Sequence, residues 1–127
     1  MSLALCSMGA YYYHNMLTPL HTAASGLRNA DARQRATAHN TDNLITPEKT
    51  VVRALGSEQP TGLGVSTQME GRTERRPELG ASGAASSSTD AVGQAVEQIS
   101  TVHQAGSLAN VVRTSDDMLG SLLDTLG

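Results

Sequence analysis

The sequence predicts a mainly α-helical fold: two long terminal helices joined by a short middle segment that is irregular or β-containing. Three observations carry this. Between Asp90 and Leu126, apolar or small residues recur at helical intervals, at Val92, Val96, Ile99, Val102, Ala105, Ala109, Val112, Ser115, Leu119, Leu122 and Leu126. Between Thr18 and Ile45 a second set (Leu20, Ala23, Ala24, Leu27, Ala30, Gln34, Ala38, Thr41 and Ile45) falls on one helical face. From Glu48 to Thr89 no such period survives, and Gly56, Pro60, Gly62 and Gly64 mark turns.

Each element follows in order. Residues 1–17 hold Cys6 and the run Tyr11-Tyr12-Tyr13 without a clear period, and read as a loosely ordered tail or an early helix turn. Met16 opens the regular segment, so Met1 and Met16 are alternative starts. Thr18-Pro19 is a helix-start pair, with Thr as cap and Pro at the first helical position. The N-terminal helix is assigned to 18–46 and should stop near Asn43, because Pro47 disfavours helical geometry at Thr46. Its inner face is built mostly of small residues, which allows close approach but buries little area. Segment 47–89 contains the extended stretches Val51-Val52 and Leu63 to Met69, and the charged run Arg72, Glu74, Arg75, Arg76, Glu78, read as a solvated surface. It ends in the Gly/Ala/Ser linker Gly80–Thr89. Asp90 caps the C-terminal helix, 90–127, and both helices together form a single domain.

The C-terminal stripe repeats nearer every 3.4 residues than 3.6. Such a stripe winds around the cylinder and favours a left-handed supercoil with a partner. An amphipathic helix of a small bundle is the alternative. Met118 and Leu123 widen the stripe, and Ala105-Gly106-Ser107 is where a bend or a break in phase is expected.

Composition bounds the rest. The 127 residues make one domain at most, with 14 Leu, 8 Val, 2 Ile and no Phe or Trp to fill a core. Twelve Gly add backbone entropy without burial, so order is expected to come mainly from assembly. The net charge of −3 argues against nucleic acid as partner. Cys6 is alone, so no internal disulfide forms. No apolar run approaches a membrane span, and no basic flank precedes the N-terminal residues as a cleavable secretory signal needs.

A search for chemistry finds no credible active site. His14, His21, His39 and His103 lack zinc-site spacing. Ser25-Gly26 lacks the nucleophile-elbow pattern, and Gly62-Leu63-Gly64 is a turn rather than a phosphate loop. Asp116-Asp117 reads as a solvated face. No catalytic, cofactor-binding or metal-binding residue is assigned, and the chain is expected not to be an enzyme.

Two segments carry a resemblance. Leu20 to Pro47, LHTAASGLRNADARQRATAHNTDNLITP, contains Ser25-Gly26-Leu27, then Asn40, Asn43 and Thr46-Pro47. Val111 to Leu123 reads VVRTSDDMLGSLL. Together they resemble the terminal signatures of the bacterial flagellar rod and hook protein family, over about half the chain. After Thr46-Pro47 that family usually has Gly and an aromatic, where this chain has Glu48-Lys49. The short middle is similar to proximal-rod members, whereas the ending is closer to distal-rod and hook proteins.

The resemblance implies that the two terminal helices pack as an antiparallel coiled-coil-like pair, and that the chain is a structural subunit of the basal-body rod. Such subunits assemble with copies of themselves and related axial proteins into a hollow shaft that transmits torque, after export by the flagellar type III apparatus. No cofactor is implied. The helix-packing residues expected on this basis are Leu20, Leu27, Ile45, Val96, Ile99, Val112, Met118, Leu119, Leu122 and Leu123; the signature residues are Ser25, Gly26, Asn40, Asn43, Thr46 and Pro47. The alternative is a small helical adaptor linked to flagellar export but outside the shaft.

Overall fold

The computed structural model describes residues 2–46, 48–75 and 91–126, with side chains described for 17–46, 48–60, 62–74 and 91–125. The linker Gly80–Thr89, the cap Asp90, Pro47, Arg76 and Glu78, together with the side chains of Cys6, Tyr11–Tyr13 and His14, lie outside the described residues. The chain is mainly helical: α1 (Ser2–Asp42), an antiparallel hairpin of β1 (Glu48–Glu58) and β2 (Val65–Arg75), and α2 (Ala91–Leu126). At 1.5 Å per residue, α1 is about 60 Å long and α2 about 54 Å. No helix is long and apolar enough to cross a membrane among the described residues.

The first helix begins at Ser2 rather than at Thr18-Pro19, so Pro19 is an interior residue and the 1–17 tail is helical. Proline removes one N–H from the ladder, but Ala, Leu and Met upstream are good helix formers. The far end stops close to where Pro47 requires. His39 O accepts from both Asn43 N (3.2 Å) and Asn43 Nδ2 (2.9 Å), and Thr46 N donates to Asn43 O (3.2 Å). Ile45, expected on the inner helix face, lies beyond the helix end and is 83% exposed. Helical spacing does not apply there.

The middle segment is a regular hairpin with 11 residues in each strand, paired from Glu48↔Arg75 to Glu58↔Val65. Its turn includes a short 3-10 segment, Pro60–Gly62, and closes with Gln59 N donating to Gly64 O (2.9 Å). Gly64 has a φ of +86° and lies directly against Ser25, so a side chain would be both strained and crowded there. Opposite charges face one another across the ladder at Lys49↔Glu74 and Arg53↔Glu70. Such cross-strand pairs contribute about 0.2–1 kcal/mol each.

Both the hairpin and α2 pack against α1. Among the described residues the buried hydrophobic side chains are Ala23, Ala30, Ala36 and Val51, while the buried polar set includes Ser25, Asn29, Thr37, Asn40, Thr101 and Ser115. The interior is therefore lined by small and polar groups, as the scarcity of large aliphatic residues foreshadows. The second helix runs unbroken through Ala105-Gly106-Ser107. A Cβ at Gly106 would meet nothing within 4 Å, so the bend expected there is not required by packing.

Candidate assembly surface

One side of α1 grips the hairpin through small polar side chains. Thr22 Oγ1 donates to Gly62 O (3.0 Å), Val65 N donates to Ser25 Oγ (3.0 Å), and Asn29 Nδ2 donates to Thr67 Oγ1 (3.0 Å). Further along, the Asn40 side-chain amide forms a two-way pair with Val52: Nδ2 donates to Val52 O and Val52 N donates to Oδ1, both at 2.8 Å. His39 Nε2 lies 3.0 Å from Thr50 O. Ser25 and Asn40 were singled out by resemblance alone. Thr22 and Asn29 were missed, although Thr22, Ser25 and Asn29 recur at three- and four-residue intervals on one helical side.

The other side of α1 meets α2, and the character of the contact changes along its length. Toward the Asp42 end of α1 it is polar. Arg33 Nη2 pairs with Glu97 Oε1 (2.6 Å), Arg33 Nη1 donates to Gln104 Oε1 (2.6 Å), Gln34 Nε2 donates to Gln98 O (3.2 Å), and Asn40 Nδ2 reaches Gln94 Oε1 (3.4 Å). Farther along it is apolar. A Cβ at Gly26 would stand 2.8 Å from Leu108 Cδ1, so the absent side chain is what admits Leu108. Leu20, Ala109, Val112 and Leu119 then line a cleft of about 340 Å³. Gly26 thus has a packing reason inside a helix.

Residues Thr101, Leu108, Val112, Ser115 and Leu119 set the face of α2 turned toward α1; Thr101 and Ser115 are buried and the others half-buried. The expected stripe follows this face from Ala105 onward but not before it. Val92, Val96, Ile99 and Val102 point away and are 59–67% exposed. Val96 and Ile99 are therefore mostly exposed within this chain. The α1 groups opposite this half of α2 are Arg33, Gln34 and Asn40, and their desolvation demands hydrogen-bonding partners rather than valines. Of the other expected packing residues, Leu20, Leu27, Val112 and Leu119 are half-buried, while Met118, Leu122 and Leu123 are exposed. Among the signature residues Asn43 and Thr46 are half-buried at the end of α1.

A second groove of about 340 Å³ lies between α1, β1 and the start of α2, lined in part by Arg33, Thr37, Asn40, Arg53, Gln94 and Glu97. Arg33 and Glu97 in it pair with one another, Arg53 is a third charged member, and among the described residues it holds no constellation for nucleophilic or acid–base chemistry. Among the described residues no group of three or more His, Cys, Asp or Glu side chains is placed to hold a metal ion. The surface most open to function is apolar. No protein-family model, curated protein or solved structure matches the chain.

Proposed function

We propose that this chain is a structural subunit of the bacterial flagellar basal-body rod, assembling with related axial proteins and with itself into the hollow, torque-transmitting shaft. In this reading the two helices act as an antiparallel coiled-coil-like pair. The contacts support it, since Asn40 meets Gln94, Arg33 meets Glu97, and Gly26 meets Leu108. Partner residues climb α2 as they descend α1.

One observation carries the assembly reading. Over the first half of α2 the chain turns polar side chains inward between its helices and leaves Val92, Val96, Ile99 and Val102 outside. Exposed apolar patches of a few hundred Å² mark interaction sites. A subunit completed by neighbours has this distribution. The resemblance at both termini directs the reading to rod proteins, with export through the type III apparatus and no catalytic role.

Isolated basal bodies provide the test: the tagged chain should co-purify with them and localise to the rod segment. Leu119→Asp places a carboxylate in the half-buried cleft that Leu20, Val112, Arg113 and Asp116 also line, where solvent and Arg113 offset part of the cost of desolvating a charge and leave a penalty of about 1–2 kcal/mol. Incorporation should be lost. Normal incorporation of that variant overturns the assignment, as does a chain found outside basal bodies bound to one partner at fixed stoichiometry, which is the behaviour of an adaptor.

A further inference from the structure

The first helix closes one margin of the hairpin and leaves most of the other open. On β1, Val52 turns its N–H and C=O outward, where both bond Asn40. In an antiparallel ladder the residue opposite such a position also turns its backbone groups outward. Gly71, the ladder partner of Val52, therefore presents them at the far margin of β2, as do Met69 and Thr73, the partners of Ala54 and Thr50. Near the turn α1 reaches this margin too, with Ser25 accepting from Val65 N and Asn29 donating to Thr67 Oγ1. Beyond Thr67 it does not. Residues 68–73 are all exposed, and no described residue bonds the outward backbone of Met69, Gly71 or Thr73. Such a margin recruits another strand.

We propose that this margin pairs with the same margin of a second copy, antiparallel about a two-fold axis at Gly71. Charge selects both the occupant and the register. A two-fold pairing sets one residue opposite its own copy. Centred on Glu70 or Arg72, it opposes like charges. Centred on Met69, it sets Glu70 against Gln68 and Arg72 against Ser66, and no charges pair. Centred on Thr73, it needs Glu74, which is half-buried, and runs past the end of β2 at Arg75. Centred on Gly71, it uses only exposed residues and sets Glu70 of each copy against Arg72 of the other. The outward backbone groups then fall in phase. Gly71 exchanges hydrogen bonds with its own copy and Met69 with Thr73 on either side, while Glu70 and Arg72 take the close positions between, about 4.5 Å apart at Cα. Among the described residues neither Glu70 nor Arg72 has an ion pair within its own chain. Charges guard an edge strand by repelling an incoming one; these repel or fail to pair in the adjoining registers and match in this one. A contact closed by its two-fold axis makes dimers and builds no filament, so it belongs to the free chain and goes beyond the rod reading.

The test uses the purified full chain in a concentration series up to about 1 mM. Five residues a side make an interface of the transient class, below about 1,200 Å², so dimerisation is expected in the upper part of that range. Across the series, hydrogen exchange at the Met69, Gly71 and Thr73 amides should slow by about threefold or more. The Val52 amide, held by Asn40 within the chain, reports at every concentration that the hairpin is intact. Glu70→Arg and Arg72→Glu should each abolish the slowing, because each sets like charges across the axis. An equimolar mixture of the two should regain it, and so should the Glu70→Arg/Arg72→Glu double variant, since opposite charges again meet. Where a reversal loses protection at Val52, the neutral Glu70→Gln or Arg72→Gln takes its place and should reduce the slowing by about half or more. Exchange at these amides that ignores concentration, a single variant that slows as wild type does, or a double variant that does not slow overturns the proposal. Basal-body incorporation plays no part in these measurements, so this contact and the rod reading fail separately.

Discussion

Asn40 offers a stringent test of how α1 holds the hairpin. The side chain is 4% exposed and exchanges two 2.8 Å hydrogen bonds with the backbone of Val52. Asn40→Ala removes both and leaves an N–H and a carbonyl without their partner. A neutral hydrogen bond contributes about 0.5–1.5 kcal/mol net, and a buried unsatisfied group costs about 1–3 kcal/mol. Val52 is half-buried, so water re-satisfies part of what is lost, and the expected destabilisation is about 2–3 kcal/mol. Asn40→Asp keeps an acceptor for Val52 N but turns a second oxygen toward Val52 O. At neutral pH it should be worse than alanine. Protonation restores a donor, so burial and the facing carbonyl raise the folded-state pKa of this carboxyl above its unfolded value. The stabilising contribution of the protonated form is then present at low pH and lost as pH rises through the folded pKa. Chemical denaturation at several pH values gives the energies, and hydrogen exchange at Val52 reports the bond directly. A loss below about 0.5 kcal/mol for Asn40→Ala, with Val52 protection unchanged, would refute this account.

Two further substitutions probe the contact between α1 and α2. Gly26→Ala gains about 1 kcal/mol of helix propensity and sets its Cβ 2.8 Å from Leu108 Cδ1, the end of a flexible, half-buried side chain that must shift; the gain in the wild-type chain should therefore fall below about 1 kcal/mol and be recovered in a Leu108→Ala background. An equal gain in both backgrounds, measured by urea denaturation, would exclude the close approach. Arg33→Ala breaks the pair with Glu97, whose side chain is 41% exposed against 23% for Arg33. Solvent screening holds the expected loss to about 0.5–1 kcal/mol, and the difference from wild type should shrink at about 1 M salt; a salt-independent difference would show that Arg33 acts through packing instead.

The two-helix organisation was legible because the helical period persists through Pro19, Gly26 and Gly106 near the ends of the chain and is lost only between Glu48 and Thr89. The Ala23–Ala30 face was legible for the same reason, being small residues at helical spacing. Three things were hidden. The helix over 2–17 was obscured by Thr18-Pro19, a start signal that the chain overrides inside a longer helix. The hairpin was underestimated because its strands do not alternate apolar and polar residues; opposite charges pair across it instead, Lys49 and Arg53 against Glu74 and Glu70. The orientation of the first half of α2 was inverted because periodicity marks an apolar side but does not say what lies on it. That half turns Gln94, Glu97 and Thr101 toward α1, whose nearest groups there are Arg33, Gln34 and Asn40, and a polar surface accepts only a polar match.

The pairing of Asn40 with Val52 also has a consequence for what the hairpin is unable to do. A strand at the margin of a two-stranded sheet carries outward N–H and C=O groups that can recruit a strand from another molecule. On β1 those outward groups include Thr50 O and both backbone groups of Val52, and they are already met by His39 and Asn40 from the last turn of α1. The helix thereby supplies the sheet with a third border made of side chains. That border blocks the central margin of β1 to strand recruitment.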